Sequence, residues 1–227
     1  MMLPKSKLTK LVGLIALPLV ILYLTGCTAT PLISAAKEGD VARINKLLNE
    51  GAKIDESNIG KWTGTPLFWS LFNCQFEATE FLMNKGANVN LADSYGFTPL
   101  LMAVSWCPNV DVSLIEHLIQ KGADVNCQNT DGLTGLHYAI SSGFDDVARL
   151  LIEKGANVNA PDDKGTTPLI LAVQKKNLFI AKLLLERGAD VDWRDLHKKD
   201  AMSYAIKNEK MMQVLQSTDI IPVKKKE

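Results

Sequence analysis

The chain of 227 residues lacks the patterns on which most catalytic and metal sites depend. It has only three histidines and four cysteines, and no Cys/His spacing resembles a zinc site. A Gly-x-Ser-x-Gly turn and a phosphate-binding loop are also missing. We therefore expect no catalytic residues, no cofactor and no metal, and a protein that is not an enzyme.

Net charge is absent too, because 25 lysine and arginine residues balance 25 aspartate and glutamate residues. Proteins that bind nucleic acids need a concentrated positive field, so we expect no nucleic-acid partner. Four cysteines are too few for a small fold held together by disulfides. The chain is long enough to bury a substantial hydrophobic core instead.

The N-terminal segment is apolar but short. The run from Leu11 to Leu24 covers 14 residues, fewer than the roughly 20 that a membrane-spanning helix needs. Lysines precede this run, and the small residues Thr25 and Gly26 follow it. A basic start, a short apolar run and small residues before a cut site are typical of a secretory signal peptide. We predict that residues 1–26 are such a peptide and are cleaved.

The residues Leu24-Thr25-Gly26-Cys27 resemble the lipobox of bacterial lipoproteins. The resemblance implies that Cys27 is lipidated and becomes the mature N-terminus, followed by a very short segment, residues 27–29. Two or three acyl chains anchor a protein stably. Thr28 stands where an aspartate commonly retains lipoproteins in the inner membrane, so it favours the periplasmic face of the outer membrane. The alternative is an ordinary signal peptide or an uncleaved anchor.

A short motif recurs along the remaining chain. Each copy opens with a residue that can cap a helix, mostly in the form Thr-Pro-Leu, and Gly-Ala follows within each of the first five copies. Threonine accepts a backbone N–H at a helix start, proline suits the first helical position, and glycine suits the left-handed residue at a helix end. The Gly-containing turns after Gly-Ala predict β-hairpins. The copies open at Thr30, Thr65, Thr98, Thr134, Thr167 and Asp200.

This pattern resembles the ankyrin repeat, which has a period of 33 residues and the signature Thr-Pro-Leu-His-x-Ala. The resemblance implies an all-α solenoid of helix-turn-helix units with β-hairpin fingers, containing about six repeats including a C-terminal cap. We assign the repeat domain to residues 30–217 and a C-terminal tail to 218–227. Two extra residues lie in the first hairpin, and three lie between the helices of the third copy, at about 108–110.

Ankyrin proteins mostly bind other proteins through the hairpin tips and the end of each first helix. The resemblance therefore implies a protein partner on the concave face, and we expect a monomer when no partner is bound. Aromatic residues at those positions lie mainly in the second and third repeats, and Trp and Tyr are common in binding hot spots. The predicted contact residues are Trp62, Phe72, Tyr95, Phe97, Trp106 and Leu133. The alternative is that some of them pack under the inserted loops.

Other notable side chains are assigned structural roles. Trp69 falls at a core position of its repeat, and His137 falls in the signature slot that bonds to the hairpin backbone. Cys74 and Cys107 each lie nine residues after the cap of their repeat. Neighbouring helices are 8–10 Å apart and a disulfide needs Cα atoms within about 7 Å, so the inserted loop decides whether the two are bridged. Cys127 lies in a hairpin and is expected to be a free thiol.

Two functions are consistent with a lipid-anchored binding protein. The first is an inhibitor or immunity-type protein that acts against a toxic envelope enzyme, such as a phospholipase effector. The second is a periplasmic assembly or chaperone factor for an envelope enzyme, for example in oxidative-stress defence. The sequence does not separate them.

Overall fold

Twelve α-helices in six helix-turn-helix pairs form the part of the chain that the computed structural model describes, residues 29–58, 63–108 and 110–217. The predicted signal peptide, Cys27, Trp62 and the C-terminal tail lie outside these ranges. The first helix of each pair is called the inner helix and the second the outer helix. The inner helices are α1 (Pro31–Glu38), α3 (Pro66–Phe72), α5 (Pro99–Trp106), α7 (Gly135–Ser142), α9 (Pro168–Gln174) and α11 (Ala201–Ala205). The outer helices are α2 (Val41–Asn49), α4 (Phe76–Asn84), α6 (Val112–Gln120), α8 (Asp145–Glu153), α10 (Leu178–Glu186) and α12 (Glu209–Gln216).

Each inner helix begins where the sequence predicts it. The side chain of the capping residue accepts the backbone N–H of the residue three positions later, as Thr65 does from Phe68 at 3.2 Å. Thr30, Thr98, Thr134, Thr167 and Asp200 make the same bond in their repeats. Proline occupies the first turn of four of these helices, where its missing donor costs nothing. The predicted helix starts are confirmed.

The helices stack in two rows. Each inner helix packs on the next one from α1 to α11, and α8, α10 and α12 pack in sequence in the outer row. The leucine two residues after each threonine cap is fully buried, and the hydrophobic core runs through all the repeats. This arrangement is the predicted all-α solenoid, in which each repeat is stabilised by its neighbours.

The segments between the pairs, called the fingers, differ from the prediction. They turn back on themselves through bonds such as Asn129 N–H to Leu133 C=O at 3.1 Å. Yet the described residues contain no regular strand, and their only bridge of the β type joins Gln128 and Thr134. The reason is that in four of the five fingers an Asp or Asn side chain accepts two backbone N–H groups. Asp162, for example, accepts those of Lys164 and Thr166. Donors used in this way are lost to a strand ladder.

Asparagine side chains connect the second, third, fourth and fifth repeats to one another at the base of the fingers. The side-chain oxygen of Asn126 accepts the backbone N–H of Asn157 at 2.7 Å, and its amide nitrogen donates to the carbonyl of Gly155 at 3.3 Å. Asn90 and Asn159 make the same two bonds to the repeats that follow them. These bonds fix the spacing between repeats.

The last repeat closes the solenoid incompletely. Met211 and Leu215 of α12 are buried against α10, which confirms that this short repeat covers its neighbour. Leu196, at the tip of the last finger, and Ile206, just after α11, are 73% and 75% exposed. Across the described ranges, none of the helices combines the length and the apolar character needed to cross a bilayer.

Candidate protein-binding groove

The surface between the fingers and the inner helices, here called the inner groove, contains most of the predicted contact residues. One type of contact holds a finger to its helix in three repeats. The residue four positions after the helix cap is aromatic and bonds through its polar group to the Asn or Asp of the finger before it. The pairs are Trp69 with Asn58 at 2.9 Å, Tyr138 with Asn129 at 3.0 Å and Tyr204 with Asp195 at 2.5 Å. These three bonds hold the fingers in place against the inner helices along the groove.

At one end of the groove, Phe72 and Trp106 stack on each other. Phe72 ends α3 and Trp106 ends α5, and their ring centroids are 4.7 Å apart with an interplanar angle of 21°. Both side chains are half-buried and pack against the hydrophobic core. The structure thus brings together two predicted contact residues from neighbouring repeats.

Trp69 lies beside this pair. Its ring meets that of Phe72 edge-on at 5.2 Å, and only 8% of its surface is exposed, which confirms the predicted core position. The Nζ atom of Lys37, on α1, lies 3.8 Å from the centre of the Trp69 ring. A cation over an indole face is stabilised by the ring quadrupole. Three repeats therefore contribute to one surface, called the aromatic platform, formed by Lys37, Trp69, Phe72 and Trp106.

The other predicted contact residues lie further along the groove. Phe97 packs against Tyr138, with ring centroids 5.8 Å apart. Tyr95 is half-buried in the same finger as Phe97, and its carbonyl accepts the N–H of Thr130 in the next finger at 3.0 Å. Leu133 is half-buried and lines a cavity described below. The groove therefore holds a second aromatic contact, Phe97 with Tyr138, in addition to the Phe72–Trp106 stack.

The cavity has a volume of about 330 Å³ and lies between the fourth, fifth and sixth repeats. Its wall includes Leu133, Tyr138, Lys164, Leu171, His197 and Tyr204. Of these six residues, the sequence predicted only Leu133 as a contact residue. The sequence could have grouped three of the others, because Tyr138, Leu171 and Tyr204 share the position four residues after the cap. All three are half-buried, whereas Trp69 and Met102 at that position are buried.

The pKa values of two groups in the groove, Tyr138 and Asp195, differ from their ordinary values. Burial and, to a lesser extent, the negative charge of Asp131 together raise the pKa of Tyr138 to about 12, against the opposing effect of the hydrogen bond from Asn129. Burial also acts to raise the pKa of Asp195. Hydrogen bonds from Tyr204 and from the N–H groups of Lys199 and His197 outweigh that effect, so this pKa lies below its usual value. Both groups keep their ordinary charge at neutral pH and serve to hold the groove together.

The two cysteines at equivalent positions meet in the structure. Their Sγ atoms are 2.9 Å apart, and both residues are thiols. The sulfur atoms lie closer than the spacing of the helices suggests, while the predicted bridge itself stays a prediction. Cys127 is a free thiol beside Thr98, with Oγ1 at 3.1 Å from its sulfur, and burial raises its pKa.

His137 joins the fourth repeat to the finger of the fifth. Its Nδ1 accepts the backbone N–H of Thr134 at 3.2 Å, so Nε2 carries the proton and donates to the carbonyl of Thr166 at 3.0 Å. The predicted structural role is confirmed. Burial lowers the pKa of His137, although the Thr166 carbonyl and the charge of Asp162 oppose this shift.

We expect the stability of the protein to fall as the pH drops below 6.5. The unfolded chain takes up a proton on His137 near its ordinary pKa of about 6.5, whereas folded His137 stays neutral to lower pH. The contribution of neutral His137 to the free energy of unfolding is thus complete above that pH. Below it, the free energy of unfolding falls by at most about 1.4 kcal/mol per pH unit. Urea unfolding between pH 7.5 and 5 measures it. His137→Gln is expected to flatten the profile, and an unchanged slope in this variant contradicts the role of His137.

Within the described ranges, no group of three or more His, Cys, Asp or Glu side chains is arranged to hold a metal ion. The arrangement instead suits a peptide or protein surface, because a half-buried aromatic stack next to a cation offers apolar contact area with little loss of side-chain freedom.

Comparison with known proteins agrees with the repeat architecture. The family described as "Ankyrin repeats (3 copies)" matches residues 32–112 and 101–195. No curated protein matches the chain. Ankyrin repeats generally mediate protein–protein binding, and the family is typically non-catalytic. The two matched segments cover more than half of the chain, and the chain therefore belongs to the ankyrin-repeat family.

Proposed function

We propose that this protein is a non-catalytic, lipid-anchored binding protein that holds a protein partner in the inner groove. The stacking of Phe72 on Trp106 at 4.7 Å carries this proposal. Both rings end their helices and keep part of their surface exposed, and Lys37 lies next to them over the buried ring of Trp69. Aromatic side chains at the centre of an interface supply much of the binding free energy.

The partner's class follows from the predicted anchor. If Cys27 is lipidated, only Thr28 and Ala29 separate the lipid from Thr30, the cap of α1. Helix layers stack about 10 Å apart, so the aromatic platform lies within a few tens of ångströms of the membrane. This placement favours a partner that works at the periplasmic face of the outer membrane. An inhibitor or immunity-type protein against a toxic envelope enzyme, such as a phospholipase effector, fits it best.

An assembly or chaperone role for an envelope enzyme is the second candidate, for example for an enzyme of oxidative-stress defence. The same groove would hold the client during assembly. The two roles differ in the response of the partner. Deleting an inhibitor releases a harmful activity, whereas deleting an assembly factor reduces a useful one.

Replacing Trp106 by alanine is expected to weaken partner binding at least 30-fold. The change removes the stack with Phe72 and leaves a gap in the centre of the platform, where truncation of an aromatic residue costs about 2 kcal/mol or more. A photo-crosslinking amino acid placed at position 106 or 72 in living cells identifies the partner. The affinity of the purified pair is then measured by calorimetry.

Phe179→Ala is the matched control, since Phe179 lies on outer helix α10 with 56% of its surface exposed. Binding that survives Trp106→Ala, or crosslinking from position 179 to the same protein, refutes the groove as the site. Adding the protein to the purified partner separates the two roles. Loss of the partner's activity supports inhibition, and an unchanged activity rejects it.

Cys27→Ser tests the anchor. We expect wild-type protein in a Gram-negative host to incorporate an alkyne-labelled fatty acid and to fractionate with the outer membrane. The variant is expected to lose all of the label, because the thioether needs the thiol. Thr25→Ser is the control and keeps it, since a small residue remains before the cut site. Unlabelled wild-type protein, or a label retained by Cys27→Ser, rejects the anchor and leaves the groove untouched.

A further inference from the structure

We propose that Cys74 and Cys107 form a reversible dithiol–disulfide pair that cross-links the second and third repeats beside the aromatic platform. The two Sγ atoms are already 2.9 Å apart, and a disulfide bond measures about 2.05 Å. Sequence register places the cysteines at equivalent positions, and the structure adds their contact, their different exposure and their neighbours. Formation of the disulfide does not depend on whether the groove binds a partner.

Backbone conformation explains how equivalent residues of neighbouring repeats come to meet. Cys74 takes the left-handed conformation, with φ of 54°, at the position where Gly39 and Gly143 end their inner helices. Cys107 instead is extended, with φ of −81° and ψ of 116°, just before the inserted residues of the third repeat. The backbone thus leaves α3 and α5 in different directions. The inserted loop turns what would be parallel side chains into facing ones.

The environment of the two sulfur atoms assigns them different roles. Cys107 is buried, with 1% of its surface exposed, and its thiol donates to the carbonyl of Leu71 at 3.2 Å. Cys74 is half-buried and donates its thiol proton to the sulfur of Cys107. A reagent from solvent therefore meets Cys74 first, and Cys107 lies behind it in position to complete the reaction.

The oxidant is a disulfide, either a small molecule or a protein that exchanges disulfides. The Cys74 thiolate attacks one sulfur of the disulfide R–S–S–R, forms a mixed disulfide and releases RS⁻. The Cys107 thiolate then attacks the Cys74 sulfur, forms the Cys74–Cys107 bond and releases the second RS⁻. The two thiol protons end on the two leaving thiolates, so one R–S–S–R yields one disulfide and two R–SH. Excess thiol reverses both steps.

The cross-link acts on the platform because each cysteine is close in sequence to one ring of the stack. Phe72 precedes Cys74 by two residues, and Trp106 directly precedes Cys107. The bond ties the ends of α3 and α5 together at the point where Phe72 and Trp106 meet. Oxidation thus fixes the distance between the two rings, while the dithiol form allows the two repeats to shift.

The experiment uses the full chain in detergent, reduced with dithiothreitol, desalted and equilibrated with oxidised glutathione at pH 8. After denaturation and alkylation, peptide mass mapping is expected to find residues 74 and 107 in one linked pair and Cys127 alkylated. We expect the midpoint of thermal unfolding to rise by about 5–10 °C on oxidation. The matched control Cys127→Ser is expected to behave as wild type, whereas Cys74→Ser and Cys107→Ser lose both effects.

A second measurement does not depend on variants that fold. Phenylarsine oxide binds two thiols that lie close together, so reduced wild-type protein is expected to take up one equivalent and to lose the reactivity of Cys74 and Cys107. Separate alkylation of both residues after oxidation overturns the proposal. So does glutathione that stays on Cys74 while Cys107 remains a thiol. A failure of partner binding leaves these results unchanged, which keeps the two proposals distinguishable.

Discussion

Leu136→Ala is expected to lower the free energy of unfolding by about 3 kcal/mol. Leu136 lies on α7, in the middle of the solenoid, and none of its surface is exposed. Removing it takes apolar surface out of the core and leaves a cavity between repeats on both sides. Because each repeat is stabilised only by its neighbours, a defect in the centre weakens two interfaces.

Met202→Ala is the matched control at the other end of the same row. Met202 follows Asp200 by two residues, as Leu136 follows Thr134, but it is half-buried in the last repeat. We expect a loss of about 1 kcal/mol or less, since partly exposed side chains bury less surface. Urea unfolding followed by circular dichroism compares the two variants. Equal losses contradict the view that the central repeats carry the stability.

The repeat architecture could be predicted because its signals are local. A threonine cap acts on an N–H three residues away, and the apolar spacing lies within a single helix, as with Thr65 and Phe68. The sequence needs no long-range information for these features. The same reasoning located Trp69 in the core, although the residues at that position in the last three repeats are only half-buried.

The fingers show where local signals fail. Gly-containing turns predict hairpins, and the turns are present, but the strands are absent from the described residues. Strands do not form in these fingers because buried Asp and Asn side chains accept the backbone N–H groups that a strand ladder would use. Asp93 illustrates the cost, because burial raises its pKa even though the N–H groups of Phe97 and Tyr95 bond to it. A turn motif does not reveal this burial.

The groove was predicted only in part, for a related reason. Register located Phe72 and Trp106 at helix ends, but their stacking depends on the distance between two repeats. The cavity near Tyr204 also depends on how far the last repeats leave their side chains uncovered. Such features come from the packing of whole repeats, which the spacing of a motif does not encode.

Gly132→Ala tests that packing between fingers directly, and we expect it to cost about 3 kcal/mol. Gly132 has φ of 73°, a conformation that costs other residues about 1–2 kcal/mol. An added Cβ would also lie 2.9 Å from the backbone nitrogen of Asp163 in the next finger. That nitrogen donates to the carbonyl of Asp131 at 3.0 Å, so the two fingers must separate to make room.

Gly143→Ala separates the two causes. Gly143 has nearly the same φ, 74°, but an added Cβ there meets nothing within 4 Å. Lys176 and Cys74 already take the left-handed conformation at the equivalent position of their repeats. We therefore expect Gly143→Ala to cost about 1 kcal/mol, through backbone conformation alone. Thermal and urea unfolding measure the difference of about 2 kcal/mol that the finger contact supplies. If both variants lose the same stability, the close approach of the fingers contributes nothing, and the spacing between repeats is set by the helices and the asparagine bonds alone.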